Sequence, residues 1–216
     1  GLDAAFFNER LNFTVDAYHN VTSKMLLYNP RSTETGMDYV LSNSGGMQTN
    51  GIDLSLNGRL IDSKVKLDAG VNISTYRNRV TDLPTGNIVT SYSGATVITE
   101  KGQPVSMFYG YRTNGVYRSD AEAAAAGLSV RATDGSLVPF KGGDVRFADT
   151  NNDGVIDDND RVIIGNPNPD FVGSFNGRLS WKNLSLSAIF TFSSGNQLYN
   201  QPRQILESVS NTNNQF

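Results

Sequence analysis

Cysteine is absent from the 216-residue sequence, and histidine occurs once, as His19. The first absence excludes zinc–thiolate sites, thiol nucleophiles and disulfide frameworks; the second leaves histidine triads and multi-histidine metal centres without partners. Missing cysteine does not fix the compartment, because oxidising and reducing locations both tolerate it. An excess of positive charge is lacking too. The 18 Lys and Arg are outnumbered by 21 Asp and Glu, a net charge of −3, which argues against a nucleic-acid partner. No apolar run approaches the ~18–20 residues of a transmembrane helix, and only 38% of residues are hydrophobic. That does not exclude a membrane, since a transmembrane β-strand needs only ~9–11 residues of alternating character. The chain opens at Gly1 with neither a basic n-region nor an apolar h-region, so a signal peptide is expected to lie outside it.

What is present is alternation with a period of two. Leu11, Phe13, Val15 and Ala17 are apolar while Asn12, Thr14 and Asp16 are polar. Ile52, Leu54, Leu56 and Leu60 oppose Asp53, Ser55, Asn57 and Arg59; Val65, Leu67, Ala69, Val71 and Ile73 oppose Lys66, Asp68, Asn72 and Ser74. Phe171, Phe175, Leu179 and Trp181 oppose Ser174, Asn176, Arg178 and Ser180. Leu184, Leu186, Ala188, Phe190 and Phe192 oppose Ser185, Ser187 and Thr191, with Ile189 out of pattern. Side chains alternate across a strand, so each segment has a greasy face and a wet face, the mark of antiparallel β-structure.

The connections differ in length. Asn8–Arg10, Ile61–Lys64 and Lys182–Asn183 are short turns, whereas Asn29–Gly46, Asn78–Asp170 and the segment after Ser194 are long and polar. Short turns at one end and long loops at the other is the asymmetry of outer-membrane barrels, and Trp181 at a strand end suits an interfacial aromatic belt. A soluble β-sandwich shows the same alternation with its greasy faces turned inward. The fold expected is all-β: an antiparallel transmembrane β-barrel fragment with a long extracellular loop region. Residues 1–77 supply barrel strands and loops, 78–170 the extracellular region, and 171–216 a barrel hairpin and the start of the next extracellular loop.

Within 78–170, Val105–Tyr117 reads as a strand, but its aromatics Phe108, Tyr109 and Tyr111 fall on both faces, which places it outside the membrane. The alternative makes it a spanning strand. Loop aromatics, Tyr92 among them, are expected to pack within the loop and not to stack on a sugar or peptide. Ser119-Asp-Ala-Glu122, an alanine run and Gly127 spell a capping box, a short helix and a glycine stop.

The motif that carries chemistry is the twelve-residue run from Asp149 to Asp160. Oxygen-bearing side chains fall at positions one (Asp149), three (Asn151), five (Asp153), nine (Asp157) and twelve (Asp160), with Gly154 at the sixth. Val155 at position seven would offer its backbone carbonyl, and Ile156 would anchor the loop to the packed protein. Calcium takes six to eight hard oxygen ligands, and this spacing wraps them around one centre. Asp160 is shorter than the usual Glu, and the flanks Asp144–Phe147 and Arg161–Ile164 read as strands, not helices. A structural calcium ion is therefore expected, not a sensor. The bland reading is an acidic solvated turn. No catalytic constellation is recognisable, and an enzyme is not expected.

Several segments together resemble the SusC/RagA family of TonB-linked outer-membrane receptors. They are Gly102-Gln-Pro-Val105 with Phe108-Tyr-Gly-Tyr111 and Gly115-Val-Tyr117, Gly143–Asp149 with the calcium-type loop, Ile164-Gly-Asn-Pro167 with Asn168-Pro169, Asn183–Leu186, and Ser194-Gly-Asn196 with Leu198–Asn200. Their order and spacing are similar to the late, C-terminal part of such a barrel. The resemblance implies a cell outer membrane location and a large closed barrel occluded by a plug. It implies a SusD-like surface lipoprotein and TonB as partners, and uptake of oligosaccharides or peptides. Six membrane strands cannot close a barrel, so the chain by itself cannot transport. Two rivals are a soluble extracellular calcium-stabilised carbohydrate-binding β-domain and part of a secreted polysaccharide hydrolase.

Overall fold

The computed structural model describes residues 1–30, 36 and 39–207. In chain order the strands begin with β1 (Leu2–Phe6), β2 (Leu11–Ser23), β3 (Leu26–Pro30), β4 (Tyr39–Asn43), β5 (Gly46–Asp62) and β6 (Val65–Asp82). Then come β7 (Ile88–Tyr92), β8 (Ala95–Thr99), β9 (Met107–Tyr111), β10 (Thr113–Val116), helix α1 (Asp120–Ala126), β11 (Ser129–Arg131) and β12 (Leu137–Pro139). The remainder is β13 (Val145–Phe147), β14 (Val155–Ile156), β15 (Arg161–Gly165), β16 (Phe171–Trp181), β17 (Leu184–Ser194) and helix α2 (Gln201–Leu206). The expected loop after Ser194 lies beyond residue 207 in part, outside the described residues, as do positions 31–35, 37 and 38 of the stretch 29–46. The described part of that stretch extends the hairpin β3–β4, in which Leu26 pairs with Asn43.

Two compact units emerge. The first comprises Gly1–Ile88, Thr99–Ser106 and Asn166–Tyr199. Its centre is a six-stranded sheet in the order β1-β2-β5-β6-β16-β17, antiparallel throughout. The register carries the alternation of the sequence across the whole sheet. Phe13, Leu56, Val71, Phe175 and Phe190 form one cross-strand row, and the Phe175 and Phe190 rings stack at 6.5 Å. Arg59, Asp68, Arg178 and Ser187 form a row on the other face, where Arg59 and Asp68 pair at 2.8 Å and Asn72 donates to Ser174 at 3.2 Å. Gly70, between Asn57 and Asn176 in the next polar row, has no room for a side chain, because both amide oxygens fold over it. Ile189 stands in that polar row beside Asn176, so its departure from pattern is real.

Leu60 does not keep the face its spacing suggests. The register slips between Arg59 and Ile61, and Ile61 comes opposite Leu67. An extra residue at a bulge shifts every later side chain by one.

The greasy face is open. Phe175 is 47% exposed, Phe190 64% and Leu186 69%. A soluble sandwich would bury these side chains against a second sheet. Because β6 and β16 are antiparallel neighbours, β6 ends and β16 begins at the same end of the sheet. The intervening chain returns to unit 1 at residues 99–106. There the Gly102 N–H donates to the Val80 carbonyl at 2.8 Å, and the Val80 N–H to that of Gln103 at 3.0 Å.

The second unit comprises Val89–Ile98, Met107–Gly165 and Asn200–Phe216. It holds a four-stranded sheet β15-β9-β8-β7, a pair β10-β13 and a small sheet β12-β11-β14. The stretch Val105–Tyr117 is therefore not one strand. It divides into β9, paired with β15, and β10, paired with β13. The division accounts for aromatics on both faces: two strands with separate partners need not share a pleat. Gly115, in the left-handed region at φ +88°, lies where the β10 register shifts. Helix α1 begins at Ser119, whose hydroxyl accepts from the Glu122 N–H, and ends at Gly127 in the left-handed conformation (φ 67°). That is the cap and stop the sequence spells. Tyr117, Ala123, Phe140 and Ile156 form the buried core, with Tyr111 and Phe147 packed against it.

Candidate metal centre

The loop 149–160 is bracketed by β13 and β15 and rests on the core of unit 2 through Ile156, which is 3% exposed. Ile156 thus anchors the loop as its sequence position suggests. β14 pairs in parallel with β11, bringing Val155 opposite Ser129 and Ile156 opposite Val130. Gly154 turns the chain at φ +82°, a region that disfavours any residue with a Cβ.

The side chains of Asp149, Asn151, Asp153, Asp157 and Asp160 are each engaged by nearby hydrogen-bond donors. Asp149 accepts from the Gly154 N–H at 2.8 Å and from the Asp153 N–H at 3.3 Å. Asn151 accepts from the Asp153 N–H at 3.0 Å, and its amide donates to the Asp153 carboxylate at 2.9 Å. Asp153 in turn accepts from the Val155 N–H at 2.8 Å. Asp160 is fully buried, and its two oxygens accept from the N–H groups of Thr150 (2.8 Å) and Asp157 (2.9 Å). Asp157 caps the 3-10 turn Asp158–Asp160 by accepting from the Asn159 N–H at 2.9 Å, and the turn closes as a reciprocal capping box.

Charge–charge contacts flank this arrangement. The Asn159 N–H, with the Arg131 guanidinium 3.4 Å away, holds the Asp157 carboxyl below the usual carboxylate range. Tyr111 and Asp158 hold Arg161 above its ordinary range; its guanidinium lies 5.3 Å from the Tyr111 ring centre and 2.8 Å from Asp158.

Asp149, Asn151 and Asp153 are linked through the Asp153 and Gly154 amides, and Asp157 and Asp160 through the 3-10 turn, while the Thr150 N–H ties Asp160 back to the start of the loop. Val155 lies in β14, between Asp153 and Asp157 in the sequence. Among the described residues no three acidic side chains stand close enough together to hold a metal ion between them. The donor chemistry suits a hard divalent cation, while the side-chain arrangement is not a finished cage. Three participants were not legible in the loop pattern. Thr150 donates to Asp160, Arg131 pairs with Asp157, and the Tyr111 hydroxyl donates to Asp158 at 3.3 Å. Arg131 and Tyr111 are distant in sequence, and only the fold brings them to the loop. The other loop aromatics divide: Tyr111 meets Phe147 edge-on at 5.5 Å, whereas Tyr92 is exposed.

No family model matches the chain. It is 32% identical over 209 residues to TonB-dependent receptor P3 of Formosa agariphila, a match covering 93% of this chain and 20% of the relative. It is 25% identical over 206 residues to TonB-dependent receptor SusC of Bacteroides thetaiotaomicron, covering 92% of this chain and 19% of that one. Among solved structures, the RagAB peptide transporter superposes with a TM-score of 0.70 at 26% identity, covering 95% of this chain and 21% of the other. The chain spans about one-fifth of the length of the relatives it matches. Over nearly all of its own length, then, it is a homologue of TonB-dependent receptors of the SusC/RagA kind.

Proposed function

We propose that the chain forms part of the wall and surface loops of an outer-membrane nutrient-import receptor, and has no catalytic role. The observation that carries this is the open greasy face of the six-stranded sheet, backed by a polar face of Arg59, Asp68, Asn72, Asn176 and Arg178. A lipid-facing wall with a water-facing lumen requires this arrangement of each strand. The outer strands β1 and β17 each have one partner among the described residues. In lipid such edges need further strands of the full-length receptor to close them.

The full-length receptor takes up an oligosaccharide or a peptide, with a SusD-like lipoprotein at its surface and TonB supplying the energy. The homology to SusC and to the RagAB peptide importer supports this reading. The test is uptake by cells expressing the full-length receptor, supplied with labelled oligopeptides or oligosaccharides, with and without TonB. TonB-dependent accumulation of one class is expected; a detergent-independent soluble protein that binds glycan without uptake overturns the proposal in favour of the binding-module rival.

Calcium gathers the oxygens of Asp149, Asn151, Asp153, Asp157 and Asp160 with the Val155 carbonyl and stiffens the extracellular portion. The donor spacing and the left-handed turn at Gly154 support this, and Asn151 and Asp153 are exposed. Isothermal titration of the full-length receptor with calcium is the direct test. No calcium-dependent heat, in a receptor freed of metal beforehand, would refute it.

A further inference from the structure

The greasy face of the sheet ends abruptly toward the long loops. Its rows run from Val65–Trp181–Leu184 up to Ala17–Ile52–Thr75. Val65 to Thr75 is ten steps along β6, roughly 33 Å at ~3.3 Å per residue. A strand tilt of ~40° reduces this to about 25 Å, the height of the apolar band of an outer-membrane barrel. The next two rows on the same face are His19–Asn50–Arg77 and Val21–Gln48–Arg79.

Apart from Val21 these rows are basic and polar, on the side that carries mainly apolar residues below them. No acidic side chain stands in either row, and neither Arg77 nor Arg79 forms an ion pair among the described residues. Both arginines and His19 are exposed. Asn50 Oδ1 accepts from His19 Nδ1, which fixes the ring and leaves Nε2 unengaged by this bond. Alternation puts Arg77 and Arg79 on the same face, two residues apart, so both guanidinium groups can reach one anionic group of several oxygens.

We propose that His19, Asn50, Arg77 and Arg79 hold the phosphorylated headgroup of an outer-leaflet lipid. The proposal rests on the barrel reading above, which puts the long-loop end of the sheet at the outer surface. The position of the rows selects the ligand: they begin where the apolar band stops, at the depth of headgroup phosphates, on the face turned to lipid.

The experiment uses the full-length receptor in detergent and measures retention of bisphosphorylated lipid A by native mass spectrometry. The wild-type receptor is expected to retain it, and the double variant Arg77→Ser/Arg79→Ser to bind about 30-fold more weakly. Arg77→Lys/Arg79→Lys should keep most of the affinity, and dephosphorylated lipid A should bind no better than the Ser variant binds the phosphorylated form. Equal retention by wild type and the Ser variant overturns the proposal. Displacement of the lipid by 10 mM inorganic phosphate, a concentration of the order at which weak anion sites fill, marks a free-phosphate site and overturns it as well. Every preparation is first checked for the gel shift between boiled and unboiled samples that a folded barrel gives. A full-length receptor that never shows the shift overturns the barrel reading itself, and the lipid site with it.

Discussion

Asn78, near the end of β6, donates a hydrogen bond of 3.0 Å to the side-chain oxygen of Asn168, ninety residues further along the chain. The Asn78 oxygen also accepts from the Val105 N–H at 2.9 Å, and the Asn168 amide donates to the Val105 carbonyl at 3.1 Å. Two asparagines thus saturate the backbone of Val105 and tie three separate stretches of unit 1 together.

Asn78→Ala leaves the half-buried Val105 N–H without its acceptor. The expected local cost is about 1–3 kcal/mol. Hydrogen exchange at Val105 in the full-length receptor should accelerate accordingly, with exchange in the middle of β5 and β6 unchanged. Unaltered protection at Val105 would show that the tie contributes nothing.

Val71 sits in the row with Leu56 and Phe175, midway along the greasy band. Arginine there, in the full-length receptor, should destabilise insertion by about 2–4 kcal/mol if the row lies at the bilayer midplane. Folding yield into liposomes, read from the boiled-versus-unboiled gel shift, measures it. Asn72→Arg, one residue along on the polar face, should be tolerated. Equal yields for the two variants would remove the lipid-facing assignment.

Asp160 is buried with both oxygens on backbone amides, so it organises the loop with or without a cation. Asp160→Ala should expose the Thr150 and Asp157 amides to exchange, at a cost of about 1–3 kcal/mol. Asp153→Ala, at an exposed position, should instead weaken calcium binding and raise loop mobility while leaving the strands intact. Calcium titration of both variants separates the roles: a Kd unchanged by Asp153→Ala would exclude that carboxylate as a ligand.

Ala124 on α1 and Asn159 in the 3-10 turn are both exposed. With β6 and β16 antiparallel neighbours, the chain between them leaves and re-enters the sheet at one end. Single cysteines at these two positions, in a full-length receptor freed of other cysteines, should both react with a membrane-impermeant maleimide on intact cells. Labelling of Asn159→Cys alone, with both reactive after lysis, would mean that the chain crosses the membrane between them.

The sequence by itself determined the long strands of the sheet, most of their faces and the order of oxygen donors in the acidic loop, because those depend on local pattern. Leu11–Ala17, Val65–Ile73 and Phe171–Trp181 alternate strongly enough that no other conformation keeps one face apolar. Ser119 and Gly127 set the ends of α1, and Gly154 the turn of the acidic loop, through conformational preferences of single residues. Only tertiary structure decided what pairs with what. That β6 pairs with β16 across a gap of almost ninety residues, that Leu60 yields its row to Ile61, and that Val105–Tyr117 divides between two sheets depend on long-range backbone hydrogen bonds. Such bonds leave no periodic trace in the residues that make them. The acidic loop shows the same division. Its donor order is written in the sequence, but the inward turn of Asp160 and the pairing of Asp157 with Arg131 follow from burial and from neighbours that only folding supplies.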